Sequence, residues 1–446
     1  MRKIASLKNP CFIFVFVLTL VIIAIHFGQA QVETQGGKPP KPPKPSPVPE
    51  LFIEDVNIAT WDFSDTLRIW HRDDIDDGFT NENKWYKPDC DYNSLAFGDA
   101  DSDGEKDLVV AGPYTAGRGR NKGWYVRFEV YEEGAKEESN FTSEGVPAGQ
   151  WYWESEVRIC DLDANSGNGN EVVLMTSRML NVYRLSKPGE FIESDCLFSY
   201  DDNDISTFLH MDVADLDGDL TPEIVIGTMK GFIRIFKYDE VNLTWVTTDT
   251  EPLGPDPYLD YTRIREVKAV DLDGILPLEI LCSTDDYGDP EVYSDAYFPH
   301  LHIWKSDGSG QYVHIGYQAV QGVDSDTWIF FYAADINSDS NVEVVIGTFC
   351  NYPSEMFQVW RWHVTSFNVI YGQNIYPNPQ VRTRTVSISP VYESGLQVVI
   401  SGSNYPENDK DSETFYLEIF DWNGSSLIPR WHAEKTYQTC RHHGVG

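Results

Sequence analysis

The sequence predicts an all-β protein built from one repeated unit, and three observations support that prediction. Six short apolar runs recur along the 446 residues, and five of them directly follow a loop of alternating acidic residues. The first positions of the six units are Asp99, Asp161, Asp215, Asp271, Asp335 and, by alignment of the sixth apolar run, Ser389. This spacing is too long for a helix pair and fits one four-stranded propeller blade with its connections. Beyond residue 50, no segment shows a sustained helical period.

Each unit contains two types of predicted strand. The apolar run after the loop is short, continuous and rich in β-branched residues, as expected for a strand covered on both faces. A later segment alternates polar and apolar residues and ends near an aromatic side chain, which predicts one packed and one wetter face. The apolar runs are 107–112, 171–176, 223–228, 279–284, 343–348 and 397–403, and the aromatic residues are Tyr131, Phe236, Trp304, Trp360 and Phe420. We therefore predict a β-propeller with six recognisable repeats.

The ends of the chain carry separate predictions. Residues 1–30 combine basic residues with an apolar run at 11–27 and a small-x-small motif at 28–30, which indicates a signal peptide or an uncleaved signal anchor. Residues 31–50 form a Pro/Lys-rich linker, and residues 51–446 form the propeller. Residues 442–446 align with 94–98, and residues 65–70 resemble an aromatic blade strand. We therefore expect an amino-terminal half blade and a seven-bladed full-length protein.

The charge of the chain limits its partners. Acidic residues outnumber basic residues by 70 to 34, which gives a formal net charge of −36. Such a surface argues against nucleic acid and against anionic membrane surfaces as partners, and it favours divalent cations as neutralising ligands. We expect membrane association only through the amino-terminal segment, if that segment is kept as an anchor.

The acidic loops have the donor spacing of a calcium site. Side-chain oxygens at places 1, 3, 5 and 9 of a nine-residue loop, with a backbone carbonyl at place 7, can surround a hard cation. The first loop is complete, and Gly104 permits its sharp turn. An EF-hand is excluded because place 12 of this loop is Val110, inside a predicted strand, where a bidentate glutamate is required.

The predicted calcium ligands form five sets of unequal quality. The second loop has an insertion before its last acid, Ile275 takes the fifth place of the fourth loop, and Asn337 is a neutral ligand in the fifth. The sixth loop, at Ser389, has lost its acids. The predicted Ca²⁺ ligands are Asp99, Asp101, Asp103, Asp107, Asp161, Asp163, Asn165, Glu171, Asp215, Asp217, Asp219, Glu223, Asp271, Asp273, Glu279, Asp335, Asn337, Asp339 and Glu343. Ordinary turn chemistry also uses Asp and Gly, but five loops in register against similar strands favour calcium.

These loops resemble FG-GAP/VCBS repeats, the calcium-loop blades of the integrin alpha-subunit propeller. Phe97 and Gly98 before the first loop, and Ala111, Gly112 and Pro113 after it, are similar to the segments that name the motif. The resemblance covers residues from about 51 to the end. It implies a β-propeller with calcium held in loops between blade strands, and it implies no single activity, because such propellers resemble adhesion and ligand-binding modules and some are attached to enzymes.

The sequence favours binding over catalysis. It contains no His-Glu-x-x-His, Gly-x-Ser-x-Gly or P-loop motif. His300 and His302 share one face of a predicted strand, but two histidines without a third ligand are more often structural. We expect a secreted or cell-surface, non-enzymatic propeller that binds an extracellular protein or glycan. The alternative is a secreted carbohydrate-active enzyme or lectin that uses the propeller funnel, which a convergent acid pair beside an aromatic platform would favour.

Overall fold

The protein is an all-β propeller. The structure, a computed structural model, describes residues 57–62, 66–73, 78–86, 94–102, 104, 107–116, 123–132, 146–147, 155–162, 170–185, 196–201, 208–239, 242–253, 262–286, 299–320, 328–349, 357–363, 366–373, 382–392, 395–404 and 412–438. These residues contain 27 strands and no helix. Consequently, the described part of the chain has no helix that could span a bilayer.

Six antiparallel sheets of four strands follow one another along the chain, and we call them blades 1 to 6. Blade 1 contains β4 (Ser94–Gly98), β5 (Asp107–Ala116), β6 (Gly123–Glu132) and β7 (Val146–Pro147). Blade 2 contains β8 (Ser155–Cys160), β9 (Glu171–Thr176), β10 (Met179–Tyr183) and β11 (Cys196–Asp201). Blade 3 contains β12 (Phe208–Ala214), β13 (Glu223–Thr228), β14 (Ile233–Asp239) and β15 (Thr244–Asp249).

The remaining blades repeat this order. Blade 4 contains β16 (Thr262–Val270), β17 (Glu279–Asp286), β18 (His300–Ser306) and β19 (Tyr312–Ala319). Blade 5 contains β20 (Trp328–Ala334), β21 (Glu343–Phe349), β22 (Phe357–His363) and β23 (Ser366–Gln373). Blade 6 contains β24 (Arg382–Tyr392), β25 (Gly395–Asn404), β26 (Ser412–Trp422) and β27 (Leu427–Gln438). Ahead of blade 1, β1 (Asn57–Asp62), β2 (Thr66–Asp73) and β3 (Gly78–Tyr86) form a separate three-stranded antiparallel sheet.

The predicted strands are confirmed. Each apolar run forms the second strand of a blade, and each aromatic segment forms the third. Every residue of β9 and β13 is buried. The wetter face predicted for the third strands is wrong, because neighbouring blades cover both faces: β14, β18 and β22 each begin with four or five consecutive buried residues. Half-buried and exposed residues are mixed instead on the fourth strands β11 and β15. The apolar runs are continuous because both of their faces are covered, as expected for the inner part of a blade.

The hydrophobic core lies between successive blades. Five clusters of buried side chains join blades 1 and 2, 2 and 3, 3 and 4, 4 and 5, and 5 and 6. In β9, Leu174 packs into the cluster shared with blade 1, and its neighbour Met175 packs into the cluster shared with blade 3. Successive residues of one strand therefore hold two different boundaries together, because side chains alternate between the faces of a sheet.

The first strands of neighbouring blades also contact each other and are linked by hydrogen bonds. In blades 1 to 4, a side chain five residues before the loop accepts a backbone N–H from the first strand of the next blade. The acceptors and donors are Ser94 Oγ and Val157 N at 3.0 Å, Glu156 Oε2 and Met211 N at 2.7 Å, His210 Nδ1 and Val267 N at 3.2 Å, and Glu266 Oε2 and Phe331 N at 2.6 Å. This inner ladder fixes the register of each blade against the next, and it satisfies backbone donors that no strand of the same blade could reach.

Candidate metal-binding loops

The acidic loops connect the first and second strands of their blades, and loops of neighbouring blades contact each other. Asn170 Nδ2 in the second loop donates to the backbone oxygen of Asp99 in the first at 2.8 Å. Leu278 N in the fourth loop donates to the backbone oxygen of Leu216 in the third, also at 2.8 Å. The loops therefore follow one another along the same side of the propeller.

The last acid of each loop is buried and holds the loop against its own blade. Its carboxylate accepts the backbone N–H of the residue at place 2. These bonds join Ala100 to Asp107 at 2.7 Å, Leu162 to Glu171 at 2.9 Å, Leu216 to Glu223 at 2.8 Å, Leu272 to Glu279 at 2.9 Å and Ile336 to Glu343 at 3.1 Å. The exposed fractions of the five acids are between 0% and 3%, so each carboxylate lies at the inner end of its loop.

The first acid of each loop shapes the turn. In the third loop, the carboxylate of Asp215 accepts the backbone N–H groups of Gly218 at 2.8 Å and Leu220 at 2.9 Å. Place 4 has a positive φ in four loops, with values of 65° at Ser102, 81° at Gly218, 77° at Gly274 and 59° at Ser338. The predicted turn at Gly104 has a φ of 91°, and Leu220 adopts 76° at the same place. The shared backbone therefore depends on the acid at place 1 more than on glycine.

Three loops bring their acids together closely enough to hold a metal ion. Within each group the candidate ligand atoms lie within 4.8 Å of one another. The groups are Asp99, Asp101 and Asp107; Asp215, Asp217 and Glu223; and Asp271, Asp273 and Glu279. The loop of Asp335, with its amide at Asn337, is not among these groups. Asp103, Asp163 and Asn165 lie outside the described residues.

Basic side chains that lie on the third strand, or directly after it in blade 2, reach into the loops of blades 2 to 5; these residues were not among the predicted site residues. Lys237 Nζ lies 2.7 Å from Asp217 Oδ2, 2.8 Å from Asp219 Oδ2 and 2.6 Å from Glu223 Oε1. In blade 4, Lys305 Nζ contacts Asp273 and lies 2.6 Å from Glu279 Oε1. The loops of blades 3 and 4 therefore each contact a cation that belongs to their own blade.

The arginines of blades 2 and 5 occupy the same position. Arg184 Nε donates to Glu171 Oε1 at 2.9 Å. Arg361 Nε donates to Glu343 Oε1 at 3.0 Å, and Arg361 also reaches Asp339. A signal for these residues is present in the sequence, because each base directly follows the aromatic residue near the end of its strand. Only the pairing of the second and third strands shows that this position faces the last acid of the loop.

Blades 1 and 6 differ at this position. Asp107 is paired with Glu132 in the register of β5 and β6, so that two acidic residues lie opposite each other. In blade 6, the loop acid is replaced by Gln397, whose Nε2 donates to Asp421 Oδ1 at 3.1 Å. In blade 6, the last acid of the loop is therefore replaced by the amide of Gln397, and the base is replaced by Asp421. The hydrogen bond between the two takes the place of the ion pair in blades 2 to 5.

Burial makes a neighbouring cation necessary for the innermost acids. Burial raises the pKa of Glu223 and of Glu343, and hydrogen bonds from Lys237 and Arg361 oppose this effect. Burial alone would lower the pKa of Lys237, but hydrogen bonds to the three surrounding carboxylates outweigh it and raise that pKa. A neighbouring cation, whether a side chain or a metal ion, therefore stabilises the ionised carboxylate at this depth, together with the backbone N–H of place 2.

The histidines of blade 4 form a separate cluster. His302 Nδ1 lies 3.1 Å from His314 Nε2, and His302 Nε2 lies 3.2 Å from the hydroxyl oxygen of Thr284. Burial, with smaller contributions from His314 and His300, holds the pKa of His302 well below its usual value. A neutral, hydrogen-bonded imidazole of this kind agrees with a structural role for His302.

Comparisons with known proteins add structural neighbours. No protein family and no curated protein matches the sequence. Solved structures that are similar include a protein from Bacteroides uniformis ATCC 8492 described as a candidate 6-phosphogluconolactonase, at 9% identity over 84% of this chain and 94% of that chain, with a TM-score of 0.49. The Dos1 propeller matches at 11% identity over 76% of this chain and 73% of its own, with a TM-score of 0.42. The fold assignment rests on the sheets described above.

Proposed function

We propose that this protein is an extracellular, calcium-binding β-propeller of the FG-GAP/VCBS type that acts as a binding module for a protein or a glycan. One observation carries the proposal: in blades 1, 3 and 4, a loop between the first two strands brings three carboxylates within 4.8 Å of one another. The first of these loops is the one best suited to calcium, because its third-strand position holds an acidic residue and no base.

The donor set favours calcium over other metals. Hard oxygen ligands from carboxylates are the ligands of Ca²⁺ and Mg²⁺, whereas zinc and copper sites use imidazole and thiolate. The grouped acids lie on a loop whose exposed side can add water and backbone carbonyls. Calcium accepts six to eight such oxygens in flexible geometry, whereas Mg²⁺ demands a near-ideal octahedron and dehydrates reluctantly.

The location outside the cytoplasm is part of the same proposal. The apolar run at 11–27 and the Pro/Lys-rich linker at 31–50 are typical of export followed by a spacer, and millimolar extracellular calcium suits a loop of modest affinity. The net charge of −36 supports a protein or glycan ligand over nucleic acid or an anionic membrane.

A pair of carboxylates near His210 is the one feature that relates to the enzyme alternative. Glu156 and Glu266 lie on the first strands of blades 2 and 4, on either side of His210. Each of the two carboxylates also accepts a backbone N–H of the next blade, from Met211 and Phe331. An acid that joins two blades in this way has a structural task, so the pair supports the binding module more than a glycosidase.

The proposal is tested by binding and by location. The purified protein is screened against arrays of glycans and of cell-surface proteins, in millimolar calcium and in chelator. We expect a saturable, calcium-dependent ligand, and fractionation of the source cells should place the protein outside the cytoplasm. A soluble cytoplasmic protein that keeps Met1, or coincident melting curves with and without calcium together with no calcium binding by calorimetry, would refute it.

A further inference from the structure

One position of the blade carries a different charge in different blades, and its consequence depends on the proposed binding of calcium. This position is the third-strand residue that faces the last acid of the loop. Its occupants in blades 1 to 6 are Glu132, Arg184, Lys237, Lys305, Arg361 and Asp421. A base is present in blades 2 to 5, and an acid is present in blades 1 and 6.

In blade 3, the basic residue contacts the predicted metal ligands themselves. Lys237 Nζ is within 2.8 Å of one oxygen each of Asp217, Asp219 and Glu223, which are the ligands predicted at places 3, 5 and 9. An ammonium group that touches three carboxylate oxygens occupies the space that a calcium ion would need, because calcium binds its ligands at 2.3–2.6 Å. Lys237 and a metal ion cannot share this set of oxygens.

Basic side chains contact the predicted metal ligands in blades 4 and 5 as well. Lys305 contacts both Asp273 and Glu279, which are the third and ninth places of its loop. Arg361 contacts Asp339 and Glu343, which are the fifth and ninth places of its loop. A tethered cation has no entropy of association to overcome, so free calcium competes poorly against it.

The two blades without a base complete the pattern. In blade 6, where the third strand supplies Asp421, the loop has Gln397 in place of the acid and no carboxylate in need of a cation at that place. In blade 1, Asp107 is kept although Glu132 lies opposite. Like charges in opposite positions of a sheet destabilise it, and a divalent cation in the loop would reduce this cost.

We propose that the third-strand residue decides whether a loop binds a divalent cation. Lys237, Lys305 and Arg361 replace the metal in their own loops, and Glu132 leaves the first loop as the one that takes calcium. The five acidic loops of the sequence therefore correspond to a single calcium site, in blade 1, because blades 2 to 5 each carry a base at this position.

The test measures calcium stoichiometry by isothermal titration calorimetry, with melting curves in chelator as a check of folding. The wild-type protein is expected to bind one calcium ion. Lys237→Met removes the charge and keeps the length of the side chain, and it is expected to gain a second ion. Lys230→Met is the matched control, because Lys230 lies in the turn after β13, at the opposite end of the strand from the loop. This control is expected to keep one ion.

A reciprocal variant covers the case in which Lys237→Met fails to fold. Glu132→Lys places a tethered cation in blade 1, and it is expected to lose the calcium ion of the wild type while its melting temperature in chelator is unchanged or raised. Lys305→Met is expected to gain calcium more weakly than Lys237→Met, because Ile275 supplies no side-chain oxygen at place 5.

The outcomes separate this inference from the proposed function. A wild-type protein that binds two or more ions would overturn the inference and leave a calcium-binding propeller in place. A folded Lys237→Met variant that gains no ion would overturn it as well, whatever the wild type binds. A wild-type protein that binds none, with a gain in Lys237→Met, would refute both the calcium part of the proposed function and the calcium site in the first loop, and it would support only the replacement of the metal by Lys237.

Discussion

His210 Nε2 lies 3.1 Å from Glu156 Oε1, across the boundary between blades 3 and 2. The other ring nitrogen of His210 accepts the backbone N–H of Val267. Because a backbone N–H can only donate, the neutral imidazole must carry its proton on Nε2 and donate it to Glu156. One side chain therefore connects three blades, and its tautomer is fixed by the fold.

The pH dependence of the free energy of unfolding should reveal the protonation states of His210 and the neighbouring Glu266. Burial, with Arg158 and Lys268 nearby, holds the pKa of His210 well below 6.5. Below pH 6.5 the unfolded chain binds a proton at His210 that the native protein does not, so this residue makes stability fall as pH falls. Burial raises the pKa of Glu266 well above 4.5, although the N–H of Phe331 opposes the shift. Above pH 4.5 the native protein holds a proton there that the unfolded chain has lost, so Glu266 makes stability rise as pH falls.

The two effects oppose each other between pH 4.5 and 6.5, so single variants should separate them. His210→Gln is expected to gain stability on acidification relative to the wild type, and Glu266→Gln is expected to lose it. Each slope difference should reach up to about 1.4 kcal/mol per pH unit. Urea unfolding at several pH values measures this, with His363→Gln, an exposed site on β22, as the control. Parallel pH profiles for all four proteins would contradict the assignment.

The boundary between blades 3 and 4 leaves no room at Gly227. A Cβ added there would lie 2.4 Å from Ile264 Cγ2 and 2.9 Å from Val267 Cγ1. Gly227→Ala is therefore expected to destabilise the protein by about 1–3 kcal/mol through overpacking. Gly316→Ala is the matched control, because nothing lies within 4 Å of its Cβ position. Equal unfolding free energies for the two variants would show that this boundary can relax.

The amide–acid pair of blade 6 should not tolerate a carboxylate. Gln397 is 1% exposed and donates to Asp421, so Gln397→Glu would bury one acid against another. Arg430, which lies 3.2 Å from Asp421, can offset only part of the repulsion. We expect a loss of about 2–4 kcal/mol.

A second substitution tests the cause of that loss. Asp421→Lys, combined with Gln397→Glu, recreates the charge pair of blades 3 and 4 and is expected to recover at least about 1 kcal/mol. Urea unfolding of the two single variants and the double variant measures this coupling. Additive losses would mean that charge plays no part at this position.

Calcium should stabilise the protein through the first loop. Calcium at about ten times its dissociation constant adds roughly 1.4 kcal/mol per site, and Asp101→Asn should abolish this response because it removes a charged ligand. Asp217→Asn should leave the response unchanged, since Lys237 already satisfies that loop. Melting curves in calcium and in chelator make the comparison. A larger effect of Asp217→Asn than of Asp101→Asn would mean that the third loop binds calcium despite Lys237.

The sequence predicts those features that depend on local pattern. The strand after each loop is evident because its residues are covered on both faces, and the turn at Gly104 is evident because its φ of 91° suits glycine. The bases that enter the loops cannot be predicted from local pattern, because Lys237 is 14 residues from Glu223 and contacts it only through the pairing of two strands. Only their position in the blade relates Ser94, Glu156, His210 and Glu266, which belong to three different residue types.

The inner ladder implies that the blades of this propeller are not interchangeable. The same offset supplies a hydroxyl, a carboxylate, an imidazole and a second carboxylate in blades 1 to 4. His210 pairs with the carboxylate of Glu156 on the preceding blade, so blade 3 is matched to the blade before it. Moving a whole repeat to another place along the chain would keep every strand and still break the side-chain hydrogen bonds between neighbouring blades. These bonds therefore depend on the order of the repeats along the chain.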